Sequence, residues 1–196
     1  NPNTLLGGTQ DNGTVRTTGD TSVWTSIYGG DGFYCLVDYS NPLNVYASSQ
    51  NGALGRSTDG GNSFSGATSG LDLLYKNWMT PYVMDKNNPQ TLYCGTYKIF
   101  KTTDGMQSWT AISPDLANAH TLNLGTITTL DVSKSSPDVI YAGTDDANVW
   151  VTTSGGSNWS KINTGLPYRW VTRLAVHPDS ANICYVTLSG YKVDST

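Results

Sequence analysis

The sequence predicts an all-β fold of repeated four-stranded antiparallel units, and three observations carry that prediction. A polar octet closed by an aromatic ring recurs from Ser57 to Phe64, Thr102 to Trp109 and Thr152 to Trp159, with a worn copy from Thr17 to Trp24. The closing rings stand 40, 45 and 50 residues apart, a period that marks a stack or ring of similar units. Only 13% of the 196 residues are charged, while 21 are Gly, 12 are Tyr and 6 are Trp. That composition suits short strands and many turns, and no long run shows helical period.

The clearest unit sets the pattern. Ile127–Val132 reads as a first strand, Ser135-Ser136-Pro137-Asp138 as a turn and Val139–Thr144 as a second strand. A polar turn at Asp145–Asn148 leads to a third strand, Val149–Thr152; the octet follows, and Trp159–Ile162 makes a fourth. Four short strands joined by tight turns describe one blade of a β-propeller.

Its neighbours follow in register. One unit runs Tyr34–Asp38, Asn44–Ser48 and Leu54–Ser57, with Asn41-Pro42 and Gln50-Asn51-Gly52 as turns. The next runs Pro81–Asp85, Thr91–Gly95 and Ile99–Thr102, with Asn88-Pro89 as its first turn. The last begins with Val171–Val176, turns at His177-Pro178 and continues through Ile183–Val186. Tyr46, Tyr93, Tyr141 and Tyr185 hold one position in the second strands, and Leu6 holds it in the first unit. The boundaries predicted are 1–33 (partial), 34–78, 79–126, 127–170 and 171–196 (partial), in a single propeller segment. Three full and two partial blades imply a piece of a larger propeller. Its open edges would favour association with the remaining blades or with other copies of the chain.

Each octet position has a structural task. Asp59 and Asp104 are short acceptors for nearby backbone N–H groups, a task that Ser154 does less well. Gly61 and Gly156 permit positive φ. Phe64, Trp109 and Trp159 are rings able to bury between sheets. The drift of the third position to Ser154 and Gly19 speaks against a metal ligand or catalytic base there.

The octet resembles the Asp-box, or bacterial neuraminidase repeat, Ser/Thr-x-Asp-x-Gly-x-x-Trp/Phe. Ser57, Asp59, Gly61 and Phe64 match it in full. Thr102, Asp104 and Trp109 match with Met106 in the glycine place, and Thr152, Gly156 and Trp159 match with Ser154 in the aspartate place. With the Asn-Pro turns, the pattern is most similar to the sortilin-like and xyloglucanase-like propellers. The phrases Gly8–Gly13 and Gly29–Gly32 are similar to those of large secreted bacterial surface proteins. The resemblance implies a secreted or cell-surface location and ligands on the face opposite the octets. It is weak on activity, since sialidases, glucanases, sorting receptors and photosystem assembly factors share the repeat.

Charge excludes some classes. The net charge is −4 and the 11 Lys and Arg are scattered, so no basic stripe exists for nucleic acid. No apolar run reaches the length of a membrane span. No segment reads as a signal peptide, although a mature or excised fragment would look the same. Cys35, Cys94 and Cys184 are too few and too far apart for a disulfide framework or a zinc site and read as buried thiols. Nothing calls for a metal or cofactor.

The octets link third to fourth strands. The opposite face therefore collects the turns between second and third strands and the links between units. Turns there offer Gln10, Asp11, Tyr97, Asp145 and Asp146 as ligand-binding candidates. The links add Asp31, Trp78, His120, Tyr168, Arg169 and Trp170. Rings beside carboxylates and amides suit a glycan or a peptide. A hydrolase would need two carboxylates across one bond, and no pair stands out. The few arginines depart from the sialidase pattern. The reading is an extracellular binding or scaffold module for glycan or protein, with a fragment of a xyloglucanase-like glycoside hydrolase as the alternative.

Overall fold

Short runs of apolar and β-branched residues, cut by Gly, Asn and Asp turns, fold into five successive antiparallel sheets. The computed structural model describes residues 3–118 and 125–190. The first sheet holds β1 (Thr4–Thr9), β2 (Gly13–Thr18) and β3 (Thr25–Tyr28). The second holds β4 (Cys35–Val37), β5 (Val45–Ser49), β6 (Ala53–Ser57) and β7 (Ser65–Gly66). The third holds β8 (Tyr82–Met84), β9 (Leu92–Gly95), β10 (Ile99–Thr102) and β11 (Thr110–Ala111). The fourth holds β12 (Ile127–Val132), β13 (Ile140–Thr144), β14 (Val149–Thr152) and β15 (Ser160–Lys161), and the fifth β16 (Val171–Val176) and β17 (Cys184–Leu188). Every sheet is a meander of sequential neighbours. Among the described residues three blades have four strands, one has three and one has two. Fourth strands are shorter than the sequence pattern suggests, because only two residues of β7, β11 and β15 pair before the link departs.

The core lies between the sheets. One cluster joins Tyr46 and Leu54 of the second sheet to Leu92, Phe100, Met106 and Trp109 of the third. A second joins Tyr93 and Ile99 to Ile127, Val132 and Ile140, and a third joins Tyr141 and Val149 to Val171, Leu174 and Val176. The second strands β5, β9 and β13 are buried along their whole length. Tyr46, Tyr93 and Tyr141 are therefore core residues, whereas Tyr185 at the same position is exposed. Among the described residues no sixth sheet covers it. Cys94 is buried, Cys35 and Cys184 half-buried, and all three are free thiols.

The octets are closed turns. Asp59 accepts the amides of Asn62 and Ser63 at 2.9 and 3.0 Å and the hydroxyls of Ser57 and Ser63 at 2.7 Å each. Asp104 repeats this with Gln107, Ser108 and Thr102. Ser154 manages less: its hydroxyl accepts one amide, that of Asn158, at 3.1 Å. In the worn copy the aspartate comes one residue late, and Asp20 accepts the amide and hydroxyl of Ser22. The rings then tie each sheet to the one before. Trp109 Nε1 donates to the Ala67 carbonyl at 2.8 Å and Trp159 Nε1 to that of Ile112 at 3.0 Å. Phe64 packs on Tyr28 at 5.1 Å. Trp24 stays exposed and bonds only to Thr21 in its own turn, since among the described residues no earlier sheet flanks it.

These turns predict a pH effect. Burial pushes the Asp104 carboxyl up, but bonds from Ser108, Thr102 and Gln107 outweigh it and hold the pKa at about 2, below the ordinary 3.8. Asp59 is held lower still, chiefly by the Ser63 hydroxyl and amide. A depressed carboxylate stabilises the fold above its unfolded pKa and ceases to as pH falls through the folded value. Melting temperature should therefore fall between about pH 4 and pH 2, and Asp104→Asn should flatten that fall. Identical acid profiles for the variant and the parent would remove these turns as the cause.

Candidate functional site

The loops opposite the octets form one connected surface. The Asp11 amide donates to Asp31 Oδ1 at 2.8 Å, and the Asp31 amide donates to Gln50 Oε1 at 2.7 Å. The Asn51 amide donates to the Trp78 carbonyl at 2.9 Å, and the Trp78 ring meets Phe33 edge-on at 4.7 Å. Asn77 Nδ2 reaches Thr126 Oγ1 at 3.1 Å, across to the fourth sheet. Loops from the first, second and fourth sheets are thus tied to one another on one side.

A cleft of 410 Å³ lies among them. The link after β7 supplies Leu74, Tyr75, Lys76, Asn77 and Trp78; Thr126, Asp145 and Trp170 close the other wall. Trp78 is 47% exposed and Trp170 46%. For such large rings that leaves broad apolar area facing solvent. Asp145 sits at the β13–β14 turn and is half-buried. It accepts the Thr126 amide at 2.8 Å and the Thr126 hydroxyl at 2.5 Å. Burial raises the Asp145 pKa; Thr126's bonds oppose the rise and the neighbouring Asp146 adds to it.

The other candidates lie as follows. Asp146 turns away from Asp145, accepting the Thr144 hydroxyl and, at 2.7 Å, Asn118 Nδ2. Tyr97 is buried, with 2% of its surface exposed. Its hydroxyl donates to Asp72 Oδ2 at 2.5 Å and its ring meets Tyr75 edge-on at 5.7 Å. Tyr97 therefore props the β7–β8 link from beneath rather than facing the cleft. Gln10, Asp11 and Asp31 belong to the turn network at the first and second sheets, outside the cleft lining. Tyr168 is the most exposed ring of the group at 83%. The Arg169 guanidinium lies against Gly190. His120 lies outside the described residues.

The structure thus brings Trp78, Asp145 and Trp170 together from three segments. The sequence pattern does not single out Asn77 or Thr126. The unusual length of the β7–β8 link is a signal for the first; nothing in the sequence marks the second, because Thr126 gains its role only where β12 starts beside the β13–β14 turn.

A run of antiparallel blades with a ring-lined cleft on the loop face is the architecture of a propeller. The chain is similar to the GH74 xyloglucanase from Xanthomonas campestris, with a TM-score of 0.74 and 16% identity over 95% of this chain and 34% of that one. It is similar to the GH74 enzyme of Niastella koreensis, with a TM-score of 0.67 and 23% identity over 95% of this chain and 31% of that one. It also resembles YCF48 bound to D1 peptide, with a TM-score of 0.59 and 15% identity over 96% of this chain and 58% of that one. These likenesses show the fold. The chain spans 26 to 34% of the length of the GH74 structures it matches. No family model matches it, and no curated protein does. No helix among the described residues is long and apolar enough to cross a membrane.

Proposed function

We propose that this chain is part of an Asp-box propeller of the xyloglucanase-like kind, from a secreted or surface-exposed bacterial protein, and that its loop-face cleft binds a glycan. The observation that carries the reading is the placement of two half-exposed tryptophans beside Asn77 and Asp145 in one cleft. Sugar rings present C–H faces to aromatic rings and hydroxyls to amides and carboxylates, so this lining suits a chain of sugars. The likeness to a solved GH74 xyloglucanase supports the glycan reading. The exposed faces of the first and fifth sheets, with Val23, Trp24, Ile183 and Tyr185, fit packing against further blades or a second copy.

The test is titration with β-glucan and xyloglucan oligosaccharides, followed by tryptophan fluorescence and calorimetry. Trp170→Ala is expected to weaken binding about tenfold or more, the weight of a large ring in a ligand contact. Its melting temperature should stay unchanged because the ring is half out of the fold. Absence of saturable binding across the panel would sink the reading.

A hydrolase fragment is the second reading, favoured by the one raised carboxyl in the cleft, Asp145. It requires release of reducing sugar from a β-glucan, abolished by Asp145→Ala.

A further inference from the structure

Among the described residues that line the cleft, Asp145 is the one carboxylate, and its position has counterparts in two other blades. Asp145, Tyr97 and Gln50 each stand four residues after a second-strand tyrosine, Tyr141, Tyr93 and Tyr46. Strand pairing gives the same equivalence, since those tyrosines lie opposite Val151, Lys101 and Arg56 of the third strands. At all three positions the side chain grips the link that enters its own blade. Gln50 Oε1 accepts the Asp31 amide at 2.7 Å, and the Tyr97 hydroxyl donates to Asp72 Oδ2 at 2.5 Å. Asp145 accepts the Thr126 amide at 2.8 Å and hydroxyl at 2.5 Å, and its own amide donates to the Thr126 carbonyl at 3.1 Å. A glutamine and a tyrosine do the same task elsewhere, so the position calls for a clamp and not for an acid.

At the fourth sheet the grip runs one bond further. Asn77 Nδ2 donates to Thr126 Oγ1 at 3.1 Å, while Asn77 Oδ1 accepts the Met79 amide at 3.1 Å. A carboxylate only accepts, so the Thr126 hydroxyl turns its proton to Asp145 and its lone pairs to Asn77. The chain from Asn77 through Thr126 to Asp145 thus has one direction, and it ties the residue beside Trp78 to the fourth blade. From the other side the Asn51 amide holds the Trp78 carbonyl. Trp170 is held separately, its carbonyl accepting the Ser189 amide at 3.0 Å.

We propose that Asp145 and Thr126 are positioning residues of the cleft: they fix Trp78 relative to Trp170 and so set the spacing of the two stacking surfaces that a ligand meets. This role rests on the cleft's being a glycan site. A ligand that spans two rings binds more weakly when one of them is loose, because binding must then order it.

The experiment compares Thr126→Val, which keeps the backbone bonds and the side-chain shape but removes the hydroxyl, with Thr126→Ser, which keeps the hydroxyl. Indole N–H signals of the ligand-free chain are recorded by NMR, and a xyloglucan oligosaccharide is titrated by calorimetry. Thr126→Val should move the Trp78 signal and weaken binding about fivefold, the weight of one hydrogen bond. Thr126→Ser should leave both close to the parent's. Asp145→Asn should act like Thr126→Val, since one end of an amide donates and cannot serve both Thr126 donors. If Thr126→Val does not fold, Asn77→Asp cuts the chain at its other end while keeping an acceptor for the Met79 amide, and should move the Trp78 signal likewise. An unmoved Trp78 signal, a moved signal with unchanged affinity, or a Thr126→Ser chain that behaves as the valine variant does would each overturn the proposal. So would reducing sugar released from a β-glucan by the parent and by Thr126→Val but not by Asp145→Asn, which would make Asp145 catalytic. A parent that binds no oligosaccharide, with the Trp78 signal still moved by Thr126→Val, would sink the glycan reading and leave the clamp standing.

Discussion

Trp109→Ala is expected to lower the free energy of unfolding by about 3–5 kcal/mol, the range for deleting a buried aromatic side chain. Trp109 is 4% exposed and sits in the cluster that joins the second and third sheets, with Tyr46, Leu54, Phe100 and Met106. Its removal opens a cavity between two blades whose β-meanders cannot close on one another. It also strips the Ala67 carbonyl of its indole partner, and an orphaned buried acceptor costs about 1–3 kcal/mol within that total. Urea denaturation measures the loss. Trp24→Ala is the matched control: its ring is exposed and bonds within its own turn, so a change within about 0.5 kcal/mol is expected. Equal losses at the two positions would mean that the octet ring does not join the blades.

Gly95→Val should also destabilise strongly, by about 1–3 kcal/mol or more, as overpacking does in a dense core. Gly95 closes β9, and Ile127, at the start of the first strand of the next blade, packs against it. A Cβ there would stand 2.6 Å from Cγ2 of Ile127 and 3.1 Å from its Cβ. Ile127 is itself fully buried, so it has no free space to move into. Gly7, in β1, is the control: nothing lies within 4 Å of the Cβ it lacks, and Gly7→Ala should leave the melting temperature almost unchanged. A Gly95→Val chain that melts with the parent would show that the two sheets slide apart at no cost.

Fold and site differ in how far they can be read from the chain. The octets are legible because their bonds are local: Asp59 reaches only to Ser63, and Asp104 only to Ser108. The strand order is legible for a related reason, since each sheet is a meander and neighbours in sequence are neighbours in space. The cleft is less legible. Tyr97 and Trp78 look alike as rings in loops, yet one is buried beneath the β7–β8 link and the other, within that link, is half-exposed. The direction of a side chain in an irregular link is fixed by what packs on it, which local sequence does not encode.

What the sequence determined by itself is the repeat: successive strand meanders, the aspartate turns at Asp59 and Asp104, and the shared second-strand position of Tyr46, Tyr93, Tyr141 and Tyr185. These follow from contacts spanning a few residues and from the two-residue period of a strand. The tertiary structure alone decided which equivalent positions are filled and which are open. Tyr46 and Tyr185 share a register, but one meets a following sheet and the other meets solvent. Asp145 joins Thr126, Trp78 and Trp170 in one cleft because four loops, distant in sequence, end on the same side. Equivalence along the chain is a matter of covalent order and local bonding, whereas burial, void and site are properties of the space between sheets.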